Sequence, residues 1–277
     1  MIRIFTILFV FISAAAHADA PKKIVSVGGA LTETIYALGA GDLVVGSDTT
    51  SYYPPAAASA PKVGYMRALS AEGILSLSPD LVVLSEESGP PNVLEQLKSA
   101  GVPMLVLDAG RTIEDVKENI KILAKTLDKQ GEGADLIAGI SKAETALKAA
   151  VALEKTPKSV MFILQHSGGA PMVAGSRTAA DSVIKLAGAT NAVTGYEGYK
   201  PLSPEAATSL APDILLVTTQ GLEQSGGKAS LLAAPGVSLT PAAKNGYVVA
   251  MDALLLLGFG PRTAEAALEL NRQLNNP

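Results

Sequence analysis

Two residues apart on a glycine-led segment, Tyr65 and Arg67 put a phenol beside a guanidinium. A phenolate oxygen is a hard anionic donor suited to ferric iron, and it favours the oxidised metal. A free phenol titrates near pH ~10, so ligation at neutrality needs the anion stabilised, which the metal and a nearby guanidinium both do. An edge-of-core tyrosine next to a solvent-exposed arginine would explain the same two residues with no ligand at all. The second donor is His166, the only histidine left if His17 is removed with a leader. It follows the apolar run Val160 to Leu164, and open α/β sheets bind ligands beyond the carboxyl ends of their strands. It reads as a ligand or as a loop histidine satisfied by its surroundings. Tyr196 and Tyr199 are weaker candidates for a cleft wall.

Other chemistry is thinly represented. The 277 residues contain no cysteine, which removes thiolate metal sites, iron–sulfur ligation and thiol nucleophiles together. No Gly-x-Ser-x-Gly elbow, phosphate-binding Gly-x-x-x-x-Gly-Lys loop or His-Glu-x-x-His pair occurs, and Gly258-Phe259-Gly260 lacks the third glycine of a dinucleotide fingerprint. The chain therefore reads as a non-enzyme. A zinc or manganese carrier normally needs several histidine and carboxylate ligands, which one histidine does not supply. A net charge of −4 without a lysine or arginine run argues against a nucleic-acid partner, because phosphate binding needs clustered cations.

The elements that position these residues follow from patterning. Residues 1–20 open with Arg3, run apolar from Ile4 to Ile12 and end in small residues, Ala16-His17-Ala18-Asp19-Ala20, the plan of a secretory signal peptide cut after Ala18 or Ala20. The apolar run is well short of the ~20 residues of a spanning helix. Without a cysteine there is no lipidation site, so the expected location is the periplasm, free of a lipid anchor. Short Val/Ile/Leu runs at Ile24 to Val27, Leu81 to Leu84 and Met104 to Leu107 alternate with helical stretches, as buried parallel strands do in βα units. Val160 to Leu164, Ile214 to Val217 and Tyr247 to Met251 repeat the alternation, and a helix from about Pro261 to Leu274 closes the chain. Between the halves, Leu136, Ile140, Ala143, Leu147 and Val151 recur at helical spacing. The fold expected is α/β, two Rossmann-like lobes joined by a single long α-helix, with lobes over 21–130 and 156–277 and the connector over 131–155. A helical connector predicts modest closure rather than a wide clamshell movement.

An internal repeat supports the two lobes. The segment from Leu69 to Asp80 aligns without gaps on that from Leu202 to Asp213, each with a serine N-cap, a first-turn acid and a proline that stops the helix before a strand. The acids, Glu72 and Glu205, occupy the same position of both copies, and the helix dipole alone is a sufficient reason for them.

The string Val63-Gly64-Tyr65-Met66-Arg67-Ala68-Leu69-Ser70-Ala71-Glu72-Gly73 resembles the haem-binding periplasmic proteins of bacterial haem importers, the HmuT, ShuT and PhuT type. So do Ser85 to Pro91, His166 to Gly175 and Gly258 to Arg262, and the likeness covers the whole chain beyond the leader. The resemblance implies a class III binding-protein fold with ferric haem as the transported ligand. It implies that Tyr65 is the axial iron ligand with Arg67 beside it. His166 would sit on the opposite face of the iron, as in some members, or remain uninvolved where tyrosine alone binds. Tyr199 is expected at the haem-binding wall. Partners implied are an inner-membrane ABC permease with its ATPase, met by Glu72 and Glu205, and an outer-membrane haem receptor upstream, with the carrier itself monomeric. A siderophore or corrinoid carrier on the same fold is the alternative, and an α/β enzyme with an unrecognised site is a further one.

Overall fold

The computed structural model describes residues 20–164 and 171–276. The expected leader and its cleavage sites, apart from Ala20, lie outside the described residues, as does His166. In the first half the elements are β1 (Ile24–Val27), α1 (Gly29–Ala37), β2 (Val44–Ser47), α2 (Pro55–Ala58), β3 (Gly64–Tyr65), β4 (Ala68–Leu69), α3 (Ala71–Ser76), β5 (Leu81–Ser85), α4 (Pro91–Ser99), β6 (Met104–Leu107) and α5 (Ile113–Thr126). The long helix α6 (Gln130–Val151) leads to β7 (Ser159–Leu164), β8 (Met172–Ala174), α7 (Ala179–Leu186), β9 (Thr190–Asn191), β10 (Tyr199–Pro201), α8 (Pro204–Leu210) and β11 (Ile214–Thr218). The chain ends with α9 (Thr219–Gln224), α10 (Gly227–Ala233), α11 (Pro241–Asn245), β12 (Val248–Met251), α12 (Ala253–Leu257) and α13 (Thr263–Asn275).

Strands β1, β5, β7 and β11 are made of residues that are nearly all buried, which is why their sequences are continuous apolar runs rather than alternating ones. The first sheet is parallel throughout, in the order β2-β1-β5-β6. The second runs β10-β8-β7-β11-β12, with β9 pairing with β7. Its β7, β11 and β12 are parallel, whereas β8 runs antiparallel to both β7 and β10. That antiparallel margin departs from a purely Rossmann-like lobe.

The repeat is a three-dimensional one. Ser70 and Ser203 cap α3 and α8, accepting from the backbone N–H of Gly73 and Ala206. Just before each proline, Ser78 and Ala211 adopt positive φ of 47° and 42°. Asp80 then accepts from the N–H groups of Lys22 and Lys23, and Asp213 from that of Ser159. Each copy thereby ties the start of its strand, β5 or β11, to the start of the neighbouring β1 or β7.

One apolar cluster runs through both halves: Ile35 and Ile120 on one side, Phe162, Ile184 and Leu270 on the other, with Ile140 and Leu147 of α6 between them. Two further clusters belong to single lobes, one around Met161 and Leu215, the other around Val82 and Leu84. A continuous core through the connector resists wide opening, since separating the lobes would expose packed side chains.

Polar contacts close the junction at its edge. Arg262, at the start of α13, donates from Nε and Nη2 to the two carboxylate oxygens of Glu33 on α1, at 2.7 and 2.8 Å, and its guanidinium lies 3.6 Å from the centre of the Tyr53 ring. Phe259, in the turn before Arg262, holds a positive φ of +52°. Glu33 is almost fully buried, and a buried charge that loses its partner is strongly destabilising. Arg262→Ala is therefore expected to lower unfolding stability by about 3 kcal/mol in urea titration, with Arg262→Lys recovering part of it. A loss below about 0.5 kcal/mol would place this pair among screened surface contacts.

Candidate functional site

In open α/β sheets, loops beyond the carboxyl ends of the strands form the binding crevice. Here the carboxyl ends of the two sheets face each other. The hydroxyl of Tyr52, in the loop after β2, donates to Asp252 Oδ2 at 3.0 Å and accepts from the backbone N–H of Leu254 at 2.8 Å. Gln220, after β11, donates to the same carboxylate at 2.6 Å. Asp48 anchors the base of the Tyr52 loop: fully buried, it accepts from the Gly28 and Thr50 N–H groups and from the Thr50 and Ser51 hydroxyls.

Tyr65 stands on the small β3–β4 hairpin at the rim of this crevice. Gly64 takes a φ of +110°, and a Cβ there would lie 2.6 Å from the Ala68 carbonyl oxygen, so the hairpin requires glycine before the tyrosine. The hairpin is tied to the β5 loop, Leu69 N–H donating to the Gly89 carbonyl and Gly89 N–H to that of Met66, at 3.0 and 2.9 Å. Tyr65 is 43% exposed, and Arg67 Nη1 donates to its hydroxyl at 2.9 Å. The expected pair is thus in direct contact, with the ring accessible.

Two residues not singled out from the sequence complete the site. Glu87, two residues beyond β5, accepts from Nη2 of Arg67 with one oxygen and from Nη2 of Arg111 with the other. Arg111 lies in the loop after β6. Its backbone N–H donates to Asp115 Oδ2 at 2.9 Å, and Asp115 forms the capping box of α5 with Thr112, so helix N-terminal chemistry positions a crevice cation. Although burial opposes it, the donated N–H and hydroxyl bonds and the Arg111 charge hold the Asp115 carboxyl below the usual range. Position after a strand end was the available pointer to both residues.

Tyr199 belongs to β10, the edge strand of the other lobe, opposite Ala174 of β8. Burial chiefly pushes its phenol up; the Glu87 charge adds to this, while Arg111 and Arg67 act against it. The charges of all three groups of the first lobe therefore reach Tyr199 on the second. Tyr196 is held against its own lobe: its hydroxyl donates to the Val173 carbonyl at 3.3 Å, and its ring carries the Lys200 ammonium at 4.5 Å. Glu72 and Glu205 lie away from this network, exposed in the first turns of α3 and α8. A separate groove of about 380 Å³ where α5, α6 and α7 meet is walled by Ile113, Leu147, Val151 and Leu186. Tyr65, Arg67, Glu87 and Tyr199 take no part in it.

A phenol, two guanidinium groups and one carboxylate on one lobe, together with a phenol on the other, offer oxygen donors and hydrogen-bond donors side by side. Such a site suits a hard cation.

The model of the family described as "Periplasmic binding protein" matches residues 24–255. The periplasmic haem-binding protein BhuT, solved in complex with two haems, superposes with a TM-score of 0.88 at 46% identity over 92% of this chain and 98% of its own. RhuT from Roseiflexus sp. RS-1, a periplasmic haem-binding protein in apo form, gives 0.88 at 39% identity with the same coverage. Among sequence relatives, a vitamin B12-binding protein of Vibrio parahaemolyticus is 27% identical over 94% of this chain and 92% of its own.

Tyr52 offers a titration signature of the lobe junction. Burial, the largest cause, and the Asp252 charge push its phenol up to about 12, against the opposing Leu254 N–H bond and the Arg262 charge. The unfolded chain ionises near pH ~10, so this contribution to stability is complete below that value and is lost as pH rises toward about 12. Tyr52→Phe is expected to flatten the alkaline decline in stability. An unchanged slope, or ultraviolet titration with every tyrosine ionising near ~10 in the folded protein, would overturn this account of the junction.

Proposed function

The chain belongs to the periplasmic binding protein family, and from that premise we propose that it captures ferric haem in the crevice between its two sheets and hands it to an inner-membrane ABC permease. The observation that carries this reading is the 2.9 Å hydrogen bond from Arg67 to the hydroxyl of an accessible Tyr65. Ferric iron of the cargo would bond the Tyr65 oxygen in place of its proton, which would leave to solvent, and the guanidinium bond would stabilise the phenolate so formed. Tyr199 closes the crevice from the second lobe. His166, two residues past β7, is the proposed ligand of the opposite face of the iron. The family is one of binding proteins, which supports transport rather than turnover. Periplasmic residence without a lipid anchor accords with a family of periplasmic proteins and a cysteine-free chain.

The vitamin B12-binding relatives favour a corrinoid as the second reading. The Vibrio parahaemolyticus protein is 27% identical, below the 46% and 39% of the haem-binding BhuT and RhuT, and the tyrosine–arginine pair suits ferric iron.

Parallel titration with haemin and cyanocobalamin separates the two. A Soret shift with a phenolate-to-iron charge-transfer band is expected with haemin, and Tyr65→Phe should weaken binding at least ~100-fold by deleting the coordinating oxygen, whose loss exceeds that of an ordinary hydrogen bond. Wild-type affinity in Tyr65→Phe, or a corrinoid bound while haemin is not, would reject the proposal. His166→Ala should move the spectrum toward a five-coordinate form with haem still bound.

Docking is proposed through Glu72 and Glu205, which occupy matching exposed positions of the repeat. Reversal of both to lysine should suppress cargo-stimulated ATP hydrolysis by the reconstituted importer while cargo affinity is retained. Undiminished stimulation, with a stability loss of about 0.3–1 kcal/mol per site, would leave both acids as helix-dipole partners only.

A further inference from the structure

We propose that Glu87 is a positioning residue for the iron ligand: by holding Arg67 and Arg111 on its two oxygens, it fixes the guanidinium that donates to Tyr65. This rests on the haem reading above and adds a second layer to it.

Arg67 is partly exposed at the tip of a two-residue-stranded hairpin, and a long side chain in that place is free to leave the phenol for water at the cost only of one solvent-screened contact. Glu87 removes that freedom. It lies in a loop whose ends are fastened: Glu86 N–H donates to the Leu107 carbonyl at 2.8 Å, and Gly89 bonds the hairpin in both directions. Arg111 balances the other side of the carboxylate and is itself tethered, its Nη1 donating to the Gly110 carbonyl at 2.8 Å. The result is a chain from a fixed loop, through a carboxylate and one guanidinium, to the phenol oxygen.

The same carboxylate has an opposing effect, because a negative charge in the crevice disfavours a phenolate. The two effects predict opposite signs, and the geometry favours positioning: Arg67 touches the phenol oxygen directly, whereas Glu87 meets it only through Arg67. Among the described residues, the other ionisable groups near this cluster are Glu86 and Asp108 on the neighbouring loops, Asp115 at the start of α5 and Tyr199 on β10. They are unchanged by a substitution at Glu87.

The test uses the full mature protein loaded with haemin. On acidification, a proton competes with iron for Tyr65, so the pH at which the phenolate-to-iron band disappears measures how well the anion is stabilised. Glu87→Ala is expected to raise that midpoint by about one unit and to weaken haemin binding about tenfold at neutral pH, the worth of one charge-assisted hydrogen bond. Glu87→Gln, which retains both shape and an acceptor, should fall between Glu87→Ala and wild type, and it replaces the alanine variant if that fails to fold. In an Arg67→Ala background the same change at Glu87 should have no further effect on the midpoint. A midpoint that is unchanged or lowered by Glu87→Ala, or an equal shift with Arg67 already removed, overturns the proposal. If wild type itself shows no Soret change with haemin, the haem reading fails instead, and the two outcomes are distinct.

Discussion

The buried ion pair between Glu33 and Arg262 is the contact on which the geometry of the crevice depends. The two residues are far apart in the chain and come from different lobes, and they close the junction beside the point where the carboxyl ends of the sheets meet. Removing two charges from water is unfavourable unless geometry and further partners compensate. Compensation here is a bidentate fork and a tyrosine face, with Arg262 held more firmly protonated by Glu33 than burial alone would allow. With the junction fixed, Tyr65 on one lobe and Tyr199 on the other keep a set separation, and the crevice is a shaped site rather than a gap between mobile bodies.

Within that site two guanidinium groups share one carboxylate. Glu87 takes Arg67 on one oxygen and Arg111 on the other, while Arg67 also donates to the Tyr65 hydroxyl and Arg111 to the Gly110 carbonyl. Glu86 and Asp108 lie on the neighbouring loops, so charges of both signs meet here, and selectivity rests on where each donor points rather than on a net field.

How much of this was legible in the sequence depended on contact range. The strands β1, β5, β7 and β11 announce themselves as apolar runs because both faces are covered; the edge strands β6 and β12 are only partly buried yet still apolar, and the capped helices of the repeat follow from serine, acid and proline at short spacing. The two-residue strands β3, β4 and β9, and the antiparallel margin of β8 and β10, are too short for any period to develop. Tyr65 and Arg67 could be paired from their spacing alone. Glu87 and Arg111 could not, being 20 and 44 residues from Arg67 and brought to it only when the ends of β5 and β6 align in the sheet. The string ending in Arg262 was visible as a likeness, but its meaning as a lobe fastener needed Glu33, which no local pattern indicates. Tyr196 read as equivalent to Tyr199, yet its hydroxyl bond to the Val173 carbonyl holds it against its own lobe.

The apolar core that passes uninterrupted through α6 carries a further implication for how a cargo is surrendered. A carrier whose halves swing freely can release by thermal opening, at a rate set by its own hinge. In this molecule, levering the lobes apart would require unpacking Leu147 and Ile140 and parting Glu33 from Arg262, so opening carries a cost that a free hinge lacks. Unloading then asks for work from outside, and stiffness itself becomes a source of fidelity: a rigid carrier holds on until something strong enough to bend it takes hold.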